Sequence, residues 1–195
     1  TRLNSHYRFQ IDPKVIKSFT FQVVFIRWTD FYPYPLAAVI NVIKIEETPS
    51  SALQNLRLQH HVPKFYRKDT VIETERKVRK FSLEKVKREK DRDDLTDLKV
   101  FTIDPFGSQD LDDALSIETS DENYQIGVHI ADVGAAIHKN DAIDLEAQER
   151  TCTFYPGQGI KPYHMLPEPF STDICSLIPD VPRPAITVLF TLGKE

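Results

Sequence analysis

Nowhere in the sequence do eighteen apolar residues follow one another, so no helical membrane span is predicted. The opening "TRLNSHYRFQ" lacks the apolar core that an export signal requires. It also lacks an initiator Met, which suggests a fragment or a processed chain. Cysteine is scarce: Cys152 and Cys175 are too few for a disulfide framework, and the expectation is reduced, buried thiols in an intracellular protein of the cytoplasm and/or nucleus. No internal repeat is visible, and residues 64–99 contain no glycine and no proline. What is present, 41% hydrophobic and 28% charged residues, is the composition of an ordinary soluble globular protein.

Charge is distributed unevenly. Residues 1–99 carry 20 Lys and Arg against 13 Asp and Glu, a balance of +7. Residues 100–195 carry 5 against 16, a balance of −11, and together the halves return the net −4 of the chain. The split predicts two units with different electrostatic tasks: a basic one suited to a polyanion and an acidic one suited to a metal ion.

In the first half, "SFTFQVVFIRW" (18–28) partly alternates and is rich in β-branched and aromatic residues, which predicts a strand. "TDFYPYP" (29–35) reads as a loop and "LAAVINVIKI" (36–45) as a second strand. Thr48, Ser50 and Ser51 are suited to cap a short helix through "ALQNLRLQHHV". These pieces resemble one edge of a small β-barrel followed by a helix. The charged stretch 64–99 reads as a solvated linker with a helix from Ser82 to about Lys90, where Glu84 and Arg88 form a favourable pair; the alternative is a segment that follows an RNA backbone.

From Leu98 onward the chain turns apolar. "LKVFTI" and "ALSIE" (114–118) read as strands, and "YQIGVHIADV" (124–133) as a third that is buried throughout. "NDAIDLEAQERT" reads as a helix capped by Asn140, with Asp141 and Asp144 near its positive end. "CTFY" and "AITVLFTL" (185–192) read as further strands, and 156–184 as a proline-rich loop with one short helix at "FSTDICSL".

Between the first two of these strands lies "FTIDPFGSQDLDDALSIE" (101–118), with Asp104, Asp110, Asp112 and Asp113 in ten positions. Two like charges about 4 Å apart repel by roughly 4 kcal/mol at an effective dielectric near 20. Carboxylates that converge so closely call for a cation among them. Hard oxygen donors on a tight loop suit Mg²⁺ or Mn²⁺ and not zinc, which prefers Cys and His. Four of them leave room for two ions, or for one ion and a positioned water. The bland alternative is a solvated acidic loop, against which stand the apolar runs on both sides. An EF-hand does not fit, because its central Gly and distal Glu are missing. His129 with Asp132 reads as a hydrogen-bonded strand end, with substrate contact as the alternative. Trp28, Tyr32 and Tyr34 read as packing residues, with base stacking as the alternative. His60-His61 reads as a helix end and not as a metal pair.

The segment 101–118, followed by "YQIGVHIADV" and "MLPEPFSTDICSL", resembles the start of the catalytic domain of the RNase II/RNase R (RNB) exoribonucleases. "VVFIRW", "YPLAAVI" and "LRLQHHV" resemble the second cold-shock-type OB domain of that family, nearest to its eukaryotic exosome-associated members, and "RDDLTDLKVFTIDP" resembles the junction between the domains. The resemblance implies an α+β chain: an OB-like β-barrel portion (1–63), a charged helical linker (64–97) and the N-terminal part of a mixed α/β catalytic domain (98–195). It implies Mg²⁺, with Mn²⁺ as a substitute, held by Asp104, Asp110, Asp112 and Asp113. Catalytic roles fall on Asp112 and Asp110, and Tyr155 becomes the residue that packs on the terminal nucleotide. The implied activity is hydrolysis of single-stranded RNA from the 3′ end to nucleoside monophosphates, with an exosome-like complex as a possible partner. The non-catalytic alternative is an RNA-binding or scaffold relative. Because the family's later arginine and glutamate have no counterpart here, the piece alone is expected to be inactive.

Overall fold

The computed structural model describes Asp12 and residues 14–31, 33–89, 91–157 and 159–194. The chain divides into two compact units, Thr1–Val62 and Pro63–Glu195. The architecture is α+β, as the sequence pattern predicts.

In the first unit, β1 (Phe19–Arg27) and β2 (Leu36–Lys44) pair antiparallel, with register shifts at Gln22/Val23 and Phe25/Arg27 that bend the ribbon. Val, Ile and Phe dominate both strands because branched and aromatic side chains fit the pleated surface. α1 (Pro49–Gln59) follows. Thr48 caps it by accepting from the Ser51 N–H at 3.2 Å, and Pro49 occupies a first-turn position where no N–H is needed. His60 is the C-cap, so the pair His60-His61 does end a helix. Trp28 and Tyr34 lie on the surface instead of packing inside. Tyr32 lies outside the described residues.

The second unit opens with two helices, α2 (Lys68–Lys80) and the short α3 (Leu83–Lys87). The sequence reading places a helix after Ser82 but none over 68–80. The reason is the composition of the buried face. Thr70, Glu73, Thr74 and Lys77 recur at i, i+3, i+4 and i+7, a helical stripe that is polar instead of apolar. That stripe lies on α4 (Ala142–Arg150) and the loop before it. Thr70 Oγ1 donates to Ala142 O (3.2 Å), Ala142 N–H donates to Glu73 Oε2 (2.9 Å), and Lys77 Nζ reaches Asp141 Oδ2 (2.9 Å) and Ala136 O (3.0 Å). α4 is capped by Asp141, which accepts from Asp144 N–H at 2.9 Å, and not by Asn140, whose backbone is left-handed at φ 68°.

Four strands complete the unit in the order β3-β4-β5-β6, all antiparallel: β3 (Val100–Phe101), β4 (Asp113–Thr119), β5 (Asn123–Ala131) and β6 (Ala185–Gly193). The strand read over 98–103 shrinks to two residues. β5, read as buried throughout, instead alternates: Gly127, His129 and Ala131 face inward while Ile130 is exposed. "CTFY" forms only an isolated bridge between Phe154 and Tyr163. The core gathers Ala136, Ile137, Ile143, Phe170, Ile174 and Cys175, with Phe81, Val133 and Leu166 against it. Phe170 opens a π-helical turn (Phe170–Ile174) closed by Cys175 N–H to Phe170 O at 2.9 Å. Of the two free cysteines only Cys175 is buried; Cys152 is exposed, so half of the buried-thiol expectation fails. Burial and the nearby Asp132 push the Cys175 thiol up to about 12, which makes it inert. Among the described residues no helix is long and apolar enough to cross a membrane.

Candidate active site

The acidic loop runs from the end of β3 to the start of β4. Its tip is a turn in which Ser108 N–H donates to Pro105 O at 3.1 Å, and Gly107 supplies the positive φ (89°) that the third turn position demands. Asp104 stands before this turn and is exposed, Asp110 is half-buried beyond it, and Asp113 is the first residue of β4. The far limb is tied down on both sides of Asp110. Ser176 Oγ accepts from Leu111 N–H (2.9 Å) and donates to Gln109 O (2.8 Å), so one hydroxyl spans Asp110. Leu177 N–H donates to Leu111 O (2.8 Å) and Ala131 N–H to Asp112 O (2.9 Å). Ser176 is fully buried.

The aspartates are within electrostatic reach of one another. Asp112 is raised above the ordinary carboxylate value, first by burial and then by the charges of Asp110, Asp113 and Asp104. The Tyr155 hydroxyl donates to Asp110 Oδ2. Burial, that hydrogen bond and the neighbouring charges of Asp110 and Asp112 push Tyr155 up to about 12, so it stays a donor, while the residue as a whole is 62% exposed. The structure thus joins Tyr155 to Asp110 and sets Asp104, Asp110 and Asp113 close enough for their charges to act on Asp112.

The chemistry of these donors fits a hard divalent cation: four carboxylate groups, one of them disfavoured as an anion by the other three. Their arrangement is not a finished cage, since among the described residues no group of three or more His, Cys, Asp or Glu side chains stands as a metal-binding cluster.

His129 has no ring nitrogen free. Nδ1 contacts Thr187 Oγ1 and Nε2 contacts Ser116 Oγ, both at 2.9 Å, so the residue ties β5 to β6 and to β4. Burial lowers its pKa, in keeping with a neutral structural imidazole. Asp132 caps the turn after β5 through Ala135 N–H (3.2 Å) and pairs with Arg92 (2.6 Å).

Sequence reasoning missed three residues around the site. Ser176 sits inside the quoted "ICSL", but nothing local marks its hydroxyl as the clamp on a loop 65 positions earlier. Tyr66 donates to the carbonyls of His164 and Leu166, both at 2.7 Å. Arg150, nearly buried, stacks on Tyr66 at 3.9 Å and donates to Glu146 Oε1, Pro63 O and Phe65 O.

Fold and site together define an α+β unit in which an acidic loop and an exposed tyrosine lie beside an antiparallel sheet. The chain belongs to the RNB domain family, whose signature matches residues 92–195. It is 46% identical over 106 residues to Ribonuclease R of Chlamydia muridarum, covering 53% of this chain and 15% of the relative. It is 32% identical over 174 residues to the mouse 3′-5′ exoribonuclease HELZ2, covering 89% of this chain and 6% of that protein. Ribonuclease R of Aquifex aeolicus is 32% identical over 191 residues, with 95% and 26% covered. The chain therefore spans about a quarter or less of these relatives. Among solved structures, Mycoplasma genitalium RNase R in complex with double-stranded RNA matches with a TM-score of 0.75 and 26% identity over 93% of this chain and 32% of that one. Yeast Ssd1, a pseudonuclease, shares the fold with a TM-score of 0.66 at 16% identity, covering 93% of this chain and 23% of that one.

Proposed function

We propose that the protein carrying this chain is a divalent-metal-dependent hydrolase that shortens single-stranded RNA from its 3′ end and releases nucleoside monophosphates. The observation that carries the reading is the joining of Tyr155 to Asp110 within a set of four coupled aspartates, in a chain of the RNB domain family. Asp104, Asp110, Asp112 and Asp113 would hold Mg²⁺ or Mn²⁺. When bound, such a cation activates a water and offsets charge developing on the scissile phosphate. The chain's own residues bind and orient. Tyr155 fixes Asp110 through its hydroxyl and offers its exposed ring to the terminal base, a contact that accepts any base because every base has a π-face. Asp110 and Asp112 are the catalytic carboxylates of this reading, and the clamp of Ser176 keeps the first of them in place. The basic first half supplies attraction for the RNA backbone, weakening as salt rises. Residues 1–195 alone are expected to be inactive, because the later arginine and glutamate implied by the family resemblance have no counterpart among them. An Arabidopsis relative, 40% identical over 105 residues, is described as an exosome complex exonuclease, which makes an exosome-like assembly a partner to test. The site of action in this reading is intracellular, in cytoplasm or nucleus.

A second reading, a non-catalytic RNA-binding relative, is favoured by the shared fold with a pseudonuclease. One assay on the full-length protein separates the two: shortening of a 5′-labelled single-stranded RNA with Mg²⁺, with EDTA and in Asp112→Asn. The hydrolase reading expects a ladder that EDTA and Asp112→Asn both abolish. RNA binding without shortening selects the second reading, and shortening that survives both treatments removes the metal.

A further inference from the structure

Asp110 is faced from one side by a short antiparallel ribbon. Phe154 and Tyr163 exchange two backbone hydrogen bonds (3.0 and 2.9 Å), and Met165 N–H donates to Thr153 Oγ1 at 3.0 Å. Successive residues of extended chain point to opposite faces. Tyr155 and His164 each stand one position from a bridge residue, so they share the face opposite Phe154 and Tyr163. From that face Tyr155 donates to Asp110 Oδ2, and His164 Nδ1 lies 4.0 Å from the same oxygen. His164 is 8% exposed, and its Nδ1 is buried without a hydrogen-bond partner. A buried polar atom left without a partner is rare in native structures and points to a ligand or a small rearrangement that satisfies it.

The backbone that carries the imidazole is held in place. Tyr66 holds the carbonyls on either side of Met165, and Tyr66 is itself pressed against the Arg150 guanidinium, which is bound to Glu146. The acceptor within reach is the Asp110 carboxylate, which can turn about its own side-chain bonds while Tyr155 stays on Oδ2.

We propose that His164 is a positioning residue for Asp110. When the carboxylate turns to engage a divalent cation, His164 Nδ1–H becomes a second donor to Oδ2 beside the Tyr155 hydroxyl, which leaves Oδ1 as the oxygen Asp110 offers to the ion. The proposal rests on the reading of the aspartates as a cation site. It gives the orphaned nitrogen its acceptor and explains why two donors converge on one oxygen of one aspartate. Outer partners of this kind set the orientation of a ligating carboxylate, and their removal typically costs about 10–100-fold in metal affinity or activity.

The test compares the full-length protein with His164→Leu and His164→Asn. Asn and Leu have nearly the same shape, but only Asn places an N–H where Nδ1 stood. Mn²⁺ binding without RNA is read by the loss of the free-ion electron paramagnetic signal, and RNA shortening gives kcat and KM. His164→Leu should weaken Mn²⁺ binding about 10–100-fold and lower kcat, while KM for RNA changes less than about two-fold. His164→Asn should restore most of the Mn²⁺ affinity. Wild-type Mn²⁺ affinity in His164→Leu overturns the proposal, and so does a His164→Asn variant that binds as weakly as His164→Leu. If His164→Leu fails to fold, His164→Asn still decides: affinity within about three-fold of wild type supports the role, and a loss of ten-fold or more refutes it. A wild-type protein that binds no Mn²⁺ overturns the cation reading itself and this proposal with it, an outcome distinct from wild-type binding that His164→Leu leaves intact.

Discussion

Replacing Arg150 by Met removes a guanidinium that the fold has sealed in. Arg150 is 6% exposed and Glu146 3%. Two of the guanidinium nitrogens donate to Glu146 Oε1 (2.9 and 2.7 Å), and the guanidinium reaches Pro63 O (3.2 Å) and Phe65 O (2.7 Å) as well. Burial alone would raise the Glu146 pKa, but hydrogen bonds from Thr70, the Arg67 N–H and Arg150, together with the Arg150 charge, hold it below the ordinary value. The substitution therefore strands a buried carboxylate, a change that typically costs about 3–5 kcal/mol. Against a domain stability of about 5–15 kcal/mol, that is about a fifth of the whole or more. Adding Glu146→Leu removes the stranded charge, so Arg150→Met/Glu146→Leu should regain most of the loss. It should remain about 1–3 kcal/mol short of wild type, because the carbonyls of Pro63 and Phe65 keep no donor. Urea unfolding followed by far-ultraviolet circular dichroism gives all three values. A single substitution costing less than about 1 kcal/mol, or a double less stable than the single, would refute the account of the pair as a mutually dependent buried unit.

Ser176→Ala should cost about 1–3 kcal/mol by leaving Leu111 N–H and Gln109 C=O unpaired, and should slow RNA shortening in protein that is still folded; melting and the RNA assay check both. Gly127→Ala should destabilise by about 1–3 kcal/mol, because its Cβ would lie 2.4 Å from Ser116 Oγ and 2.8 Å from His129 Nε2, between two groups now bonded at 2.9 Å. Stability should also fall on the acid side. Asp141 is held low despite its burial by bonds from Asp144 N–H, Lys77 and His138 N–H and by the Lys77 charge, and Glu146 is held low as described. Groups whose folded pKa is depressed contribute in full above the unfolded value near pH 4 and lose that contribution as pH falls through the folded value, so the urea midpoint should drop steeply below about pH 4. A midpoint flat through that range would show that neither carboxylate is favoured by the fold.

The strands were legible because branched and aromatic residues alternate along them: "SFTFQVVFIRW" contains β1 and "AITVLFTL" lies within β6. The acidic loop was legible because its four aspartates sit between apolar runs. α2 was not, because the residues it buries are Thr70 and Thr74, and the pairing partners that make this favourable, Ala142 and Glu146 among them, lie roughly seventy or more positions away. The cap of α4 was misplaced by one residue because Asn140 and Asp141 are both good caps, and only the backbone conformation distinguishes them. Tyr155 could be named in advance, but its bond to Asp110 spans 45 positions and appears only in three dimensions. Ser176, His164 and Tyr66 belong to the same class: ordinary residues whose importance is set by what arrives opposite them.

The latch on the acidic loop also has a consequence in time. Ser176 and Leu177 grip Leu111 across about 65 positions, so a chain leaving the ribosome displays its aspartates before the segment that shapes their backbone has been made. At about 5–20 residues per second, the delay is roughly three to thirteen seconds. The geometry of the acidic loop is therefore completed late, only after synthesis has moved past Ser176 and Leu177.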